Sequence, residues 1–135
     1  MFTSFGYFED KSDDFRILGE AYRVLDQGGK LILDLPNYAR ISDNFSANRE
    51  MSLKNGDKII YRKRIEGDCL IEERFRMKRN GEEEKLSPIK LRLYFPEEIT
   101  KLCQAAGFKE VRILDQGLRD FSPEISRRLW VISTK

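Results

Sequence analysis

Hydrophobic residues recur along this chain with changing period, and each change marks a boundary. Phe15, Leu18, Tyr22 and Leu25 fall at three- and four-residue spacing with Ala21 in the same stripe, which predicts a helix over Asp14–Leu25. Asp13 or Asp14 is placed to cap it, because a short side-chain oxygen accepts an amide hydrogen of the first turn. Asp26-Gln27-Gly28-Gly29 is placed to stop it, glycine reaching the left-handed cap conformation without a Cβ penalty. Lys30-Leu31-Ile32-Leu33-Asp34-Leu35 follows as a nearly continuous apolar run of strand length. Such a strand is expected to be covered on both faces, as in a parallel α/β sheet. Asp34 inside that run is expected to be paired or at the strand end, with a structural partner such as a backbone amide and not a catalytic role.

From Arg49 to Tyr94 the period becomes twofold. Asn55-Gly56, Glu66-Gly67-Asp68 and Asn80-Gly81 punctuate it, and the first of these is a strong hairpin signal. Cys69, Ile71, Glu73, Phe75 and Met77 alternate against Leu70, Glu72, Arg74, Arg76 and Lys78. The expected structure is a four-stranded antiparallel meander, apolar on one face and charged on the other, its last strand resuming near Ile89 after the charged Glu82–Lys85. Ahead of it, Tyr38, Ile41 and Phe45 are spaced for one face of a short helix. Behind it, Pro96 and two glutamates open a helix over Glu97–Ala106, striped by Ile99, Leu102, Cys103 and Ala106 and ended by Gly107. Val111–Leu114 and Leu129–Ser133 read as strands, the closing one antiparallel to its neighbour. The fold class is α/β. Three core strands are flanked by two helices, and residues 49–94 form an antiparallel excursion within a single domain.

Composition narrows the function. Twenty-five basic and 23 acidic residues among 135 leave a net charge of +2, which does not indicate a nucleic-acid binder. A basic stripe of Arg62, Lys63, Arg64, Arg74, Arg76, Lys78, Arg79, Lys90 and Arg92 is interleaved with Glu66, Glu72, Glu73 and Glu82–Glu84, and reads as a solvated, locally paired face. The absence of histidine excludes histidine acid–base catalysis and histidine metal ligation. Cys69 and Cys103 read as buried free thiols. No signal peptide and no apolar window long enough for a membrane span is present, so a soluble cytoplasmic protein is expected.

Two stretches carry candidate chemistry. Phe2, Phe5, Tyr7 and Phe8 crowd the first eight residues, where chain ends are usually polar. Gly6 between two of these rings suits a close backbone approach or an unusual dihedral. Asn37 and Tyr38 lie just past the carboxyl end of the apolar strand, the edge at which open α/β sheets bind ligands.

With those segments placed, the sequence resembles the C-terminal half of a class I S-adenosylmethionine-dependent methyltransferase of the small-molecule kind. FTSFGYFED, at Phe2–Asp10, resembles the segment after that family's fourth core strand. ILGEAYRVLDQGGKLILDL resembles its fourth helix, glycine turn and fifth strand. YFPEEITKLCQAAGFKEV, at Tyr94–Val111, resembles its last helix and sixth strand, and RRLWVISTK its seventh, antiparallel strand, which the resemblance places between the other two core strands. The meander sits where several members insert an antiparallel excursion over the substrate pocket.

The resemblance implies methyl transfer from S-adenosylmethionine to a small-molecule acceptor by in-line displacement. That chemistry needs desolvation and alignment more than a charged catalytic pair, so no catalytic residue is assigned. Phe2, Thr3 and Phe5 would fall on the cofactor side, and Tyr7, Asn37, Tyr38 and Arg92 around the substrate. The departure from the family is as informative. Its glycine-rich loop and its ribose-binding acidic residue have no counterpart, and Gly28-Gly29 precedes a strand instead of following one. A fragment or truncated product is therefore expected, inactive alone and without bound S-adenosylmethionine. It is expected to form a homodimer through the edge of the first core strand. The competing readings are a non-catalytic dimerisation or protein-interaction module and an RNA-contacting module.

Overall fold

A computed structural model of the chain describes residues 5–43 and 48–135. Its first helix, α1 (Lys11–Val24), starts earlier than the hydrophobic stripe suggests. Asp10 is the N-cap, its Oδ1 accepting from the Ser12 amide at 2.8 Å. The expected caps Asp13 and Asp14 lie instead inside the first turn, where acidic side chains suit the positive end of the helix dipole. The other end is also corrected. Leu25 leaves the helix in an extended conformation while its amide bonds Ala21, so the helix ends before any glycine. Gly28, at φ +79°, shapes the turn into the next strand, and the turn is tied to the chain terminus by Gly28 N–H to the Lys135 carbonyl and Lys135 N–H to that of Gly29.

The apolar run is β1 (Lys30–Pro36), and the last two strands are β6 (Glu110–Leu114) and β7 (Arg128–Thr134). They form a three-stranded sheet in the order β1-β7-β6, with β7 antiparallel to both neighbours, Leu33 facing Val131 and Val131 facing Ile113. The closing strand lies between the other two, as the resemblance implies, and the two outer strands therefore run parallel. Between β1 and β6 come α2 (Tyr38–Asp43) and α3 (Pro96–Ala105). Phe45, the third member of the stripe expected for the short helix, lies outside the described residues.

Leu31, Leu33 and Leu35 of β1 pack with Leu129 and Val131 of β7, Leu18 of α1, and Ile99 and Cys103 of α3. Both longer helices thus cover one face. The expectation that β1 would be covered on two faces is not met among the described residues: it alternates, and Ile32 is 45% exposed. Asp34, on that second face, has the structural partner expected of it, here a side chain, Arg128 Nε donating to it at 2.7 Å. Gly107 ends α3 at φ +115°, and a Cβ there would sit 2.9 Å from the Tyr22 ring.

Residues of the second period form a separate antiparallel sheet, β2 (Asn48–Ser52), β3 (Lys58–Glu66), β4 (Cys69–Met77) and β5 (Glu83–Arg92), in sequence order. Its turns carry Gly56, Gly67 and Gly81, all at positive φ. Two expectations fail here. The strand β5 begins at Glu83, well before Ile89, because its charged residues find partners in the ladder, Lys85 reaching Glu73 at 3.4 Å. Neither face is cleanly apolar: Arg62 lies beside Phe75 with its guanidinium 4.7 Å from the ring, and Arg64 reaches Glu73 at 3.2 Å. Lys63–Glu72 and Arg76–Asp57 complete a charge-paired surface in place of an open basic stripe. The chain divides into two compact units, Met1–Asn44 with Leu93–Lys135, and Phe45–Arg92.

Both cysteines are free and buried, and burial raises both thiols above their ordinary pKa. No helix among the described residues is long and apolar enough to cross a membrane.

Candidate functional site

Asn37 is the first residue past the carboxyl end of β1, and its side chain is fully engaged. Nδ2 donates to the carbonyls of Pro123 at 2.8 Å and Ser126 at 2.7 Å, while Oδ1 accepts from the Ala39 amide at 3.1 Å. One side chain thereby opens α2 and holds the loop before β7 against the strand end. That loop is itself preorganised by Asp115, whose Oδ1 accepts from the amides of Gly117 and Arg119. The Arg119 amide leads the interactions that hold the Asp115 carboxyl below its usual range. Phe121 lies in this loop and packs against the core.

Phe121, Tyr38, Tyr94, Phe95 and Leu129 line a cavity of about 150 Å³ at this end of the sheet, with Glu97 on its border. Tyr38 and Phe95 have ring centroids 4.4 Å apart and planes tilted by 50°. Tyr94 is buried; its ring lies 5.4 Å from that of Phe5 between centroids and 5.8 Å from the Lys11 ammonium, and Asp14 accepts from its hydroxyl at 2.5 Å. Asp14 also accepts from the Gly6 amide at 3.0 Å, and Gly6 sits at φ +95°. The aromatic stretch ahead of α1 is thus fastened to the helix and to the cavity floor by one buried carboxyl group.

The candidate residues fall differently around this site. Asn37 and Tyr38 line the cavity, the former as a fixed support and the latter as a ring of the wall. Phe5 is closed into the core, 1% exposed, and Tyr7 is 44% exposed. Phe2 and Thr3 lie outside the described residues. Arg92 belongs to the second unit, where it is buried opposite Cys69, its Nε 3.7 Å from Asp68. Sequence reading missed Tyr94, Phe95, Glu97 and Phe121. The Tyr-Phe pair directly before the proline of α3 was the available signal, since residues flanking an N-terminal proline are fixed in direction.

No protein-family model matches the sequence, and no curated protein matches it. Solved structures do. A S-adenosylmethionine-dependent methyltransferase from Clostridium acetobutylicum superposes with a TM-score of 0.76 at 17% identity, over 98% of this chain and 55% of that one. This chain has a methyltransferase fold. The CcbJ methyltransferase from Streptomyces caelestis gives 0.75 at 17% identity, over 98% and 55%. An amino pentose methyltransferase from Micromonospora echinaspora, with S-adenosylmethionine bound, gives 0.64 at 16% identity, over 100% and 56%. The methyltransferase-fold chain therefore spans about half the length of these structures.

The described residues do not by themselves fit S-adenosylmethionine. A nucleoside cradle needs free backbone amides in a glycine turn that opens a helix. Here the Gly28-Gly29 turn leads into β1 and is bonded to Lys135; α1 opens on the Asp10 side chain, and α3 on a proline and two glutamates. Among the described residues no group of carboxylates and cysteines is gathered for a metal ion either.

Proposed function

We propose that this chain is the acceptor-side portion of a S-adenosylmethionine-dependent methyltransferase acting on a small molecule in the cytoplasm, and that the chain alone is inactive. The observation that carries this reading is the superposition on methyltransferases over 98% of the chain. The aromatic cavity at the carboxyl end of β1 adds to it, since ligands of open α/β sheets bind at that edge. In this reading Asn37 fixes the strand end and its loop, and Tyr38 contacts the acceptor. Tyr7 joins them from the stretch fastened by Asp14. The chain's contribution is to exclude water and to orient the acceptor, which is what a direct displacement asks of a protein.

The test is transfer of a labelled methyl group from S-adenosylmethionine to small-molecule acceptors by the protein extended through whatever reading frame precedes Met1. Turnover that falls on Tyr38→Ala supports the reading. A protein that contains a glycine-rich half and methylates nothing in a broad acceptor panel overturns it.

A second reading, a self-associating interaction module without catalysis, draws on one observation. On the sheet face opposite α1 and α3, Ile32 is 45% exposed and pairs directly with Ile132, next to Trp130. Apolar side chains on such a face are candidates for burial against a second copy. Sedimentation of the chain as a dimer that Ile32→Glu dissociates would favour it, and a monomer at high concentration would exclude it.

A further inference from the structure

The cavity at the end of β1 has a chemical character that methyl transfer as such does not require. Its lining is largely aromatic: Tyr38 and Phe95 lie with ring centroids 4.4 Å apart at a 50° tilt, and Phe121 and Tyr94 line the same cavity. Aromatic faces carry the negative lobe of the ring quadrupole and attract organic cations. Phe95 is 48% exposed although it is a large apolar ring next to a cavity, so the wall is reachable from solvent.

The charge around the opening has the same sense. Glu97 is exposed on the border and makes no ion pair among the described residues. The amino end of α3 contributes roughly half a positive charge, which the Glu97 carboxylate exceeds while Glu98 is paired with Lys11. Of the nearby cations, Lys11 is paired with Glu98 and lies 5.8 Å from the Tyr94 ring centroid, and Arg40 donates to the Ile125 carbonyl at 3.0 Å. An anion entering here would face an unpaired carboxylate. A cavity of about 150 Å³ is large enough for benzene, and hence for a compact alkylated ammonium group.

We propose that Tyr38, Phe95 and Phe121, with Glu97 at the rim, form a recognition site for an alkylated ammonium group. The site stands on the cavity alone: binding can be measured with no methyl donor present, so its failure and the failure of the methyltransferase reading are separate results.

The experiment is a titration of the isotope-labelled chain with choline and, in parallel, with dimethylbutanol, its uncharged tert-butyl isostere, following the ring resonances of Tyr38, Phe95 and Phe121. Choline is expected to saturate in the millimolar range and to bind at least about tenfold more tightly than the isostere, the margin that cation–π attraction and a rim charge supply. Glu97→Gln is expected to weaken choline several-fold and leave the isostere unchanged, and Phe95→Ala to abolish the preference. Equal binding of the two probes, shifts away from these rings, no binding of choline, or a preference indifferent to both substitutions would each overturn the proposal.

Discussion

Tyr94 donates its hydroxyl to Asp14 across eighty residues of sequence, at 2.5 Å, and both side chains are buried. The same carboxyl group accepts from the Gly6 amide, so three segments (the stretch ahead of α1, α1 itself and the approach to α3) meet at one polar point inside an apolar core. Polar groups in such a place are held by their partners, and losing one leaves a buried group short of a bond.

Tyr94→Phe keeps the ring and removes only the donor. It is expected to lower stability by about 1–3 kcal/mol, the cost of leaving a buried acceptor short of a partner. Urea unfolding measures it. An unchanged midpoint would mean that the hydroxyl contributes nothing to fastening the aromatic stretch.

Gly107 tests the packing beneath α3. Its φ of +115° and the 2.9 Å approach that a Cβ would make to Tyr22 act in the same direction. Gly107→Ala is expected to cost about 1–3 kcal/mol, the range for a side chain held in a sparsely populated backbone region. Thermal unfolding should show a lowered midpoint; an unchanged or raised one would show that the backbone relaxes there.

The second unit carries a pH signal. Asp57 accepts from Arg76 at 2.8 Å and from the Arg79 amide at 3.1 Å, and the Arg76 guanidinium leads the interactions that hold its carboxyl below the ordinary value of 3.8. A carboxyl whose folded pKa is depressed stabilises the fold above its unfolded value, and that contribution is lost as pH falls through the folded one. Stability should therefore be level near neutrality with respect to Asp57 and decline on acidification below about pH 3.8. Asp57→Asn should remove part of that acid limb. Superimposable acid-unfolding curves for the two proteins would contradict this.

Much of the fold was legible because its signals are local. Leu31–Leu35 announced a strand, Asn55-Gly56 and Asn80-Gly81 announced turns, and the positive φ of Gly56 and Gly81 is the physical reason those dipeptides work. The order of the three-stranded sheet followed from the resemblance. What stayed hidden depends on residues far apart in sequence. Asp14 read as a cap because nothing near it reveals Tyr94. Glu83–Lys85 read as a charged stretch ahead of the strand because the partner that lets Lys85 sit in a ladder, Glu73, is on another strand. The cavity draws its rings from positions 38, 94, 95 and 121, which no periodicity connects. Phe5 was a candidate for contact with a cofactor because sequence shows that a ring is present and not which way it turns.

The most direct measurement is calorimetric titration of S-adenosylmethionine into two proteins, this chain and an extended protein in which the chain is joined to a glycine-rich half. If the acceptor side is here and the cofactor cradle is elsewhere, the chain alone gives no heat of binding at micromolar concentrations and the extended protein binds with micromolar affinity. Micromolar binding by the chain alone, or none by an extended protein that carries a glycine-rich half, would contradict it.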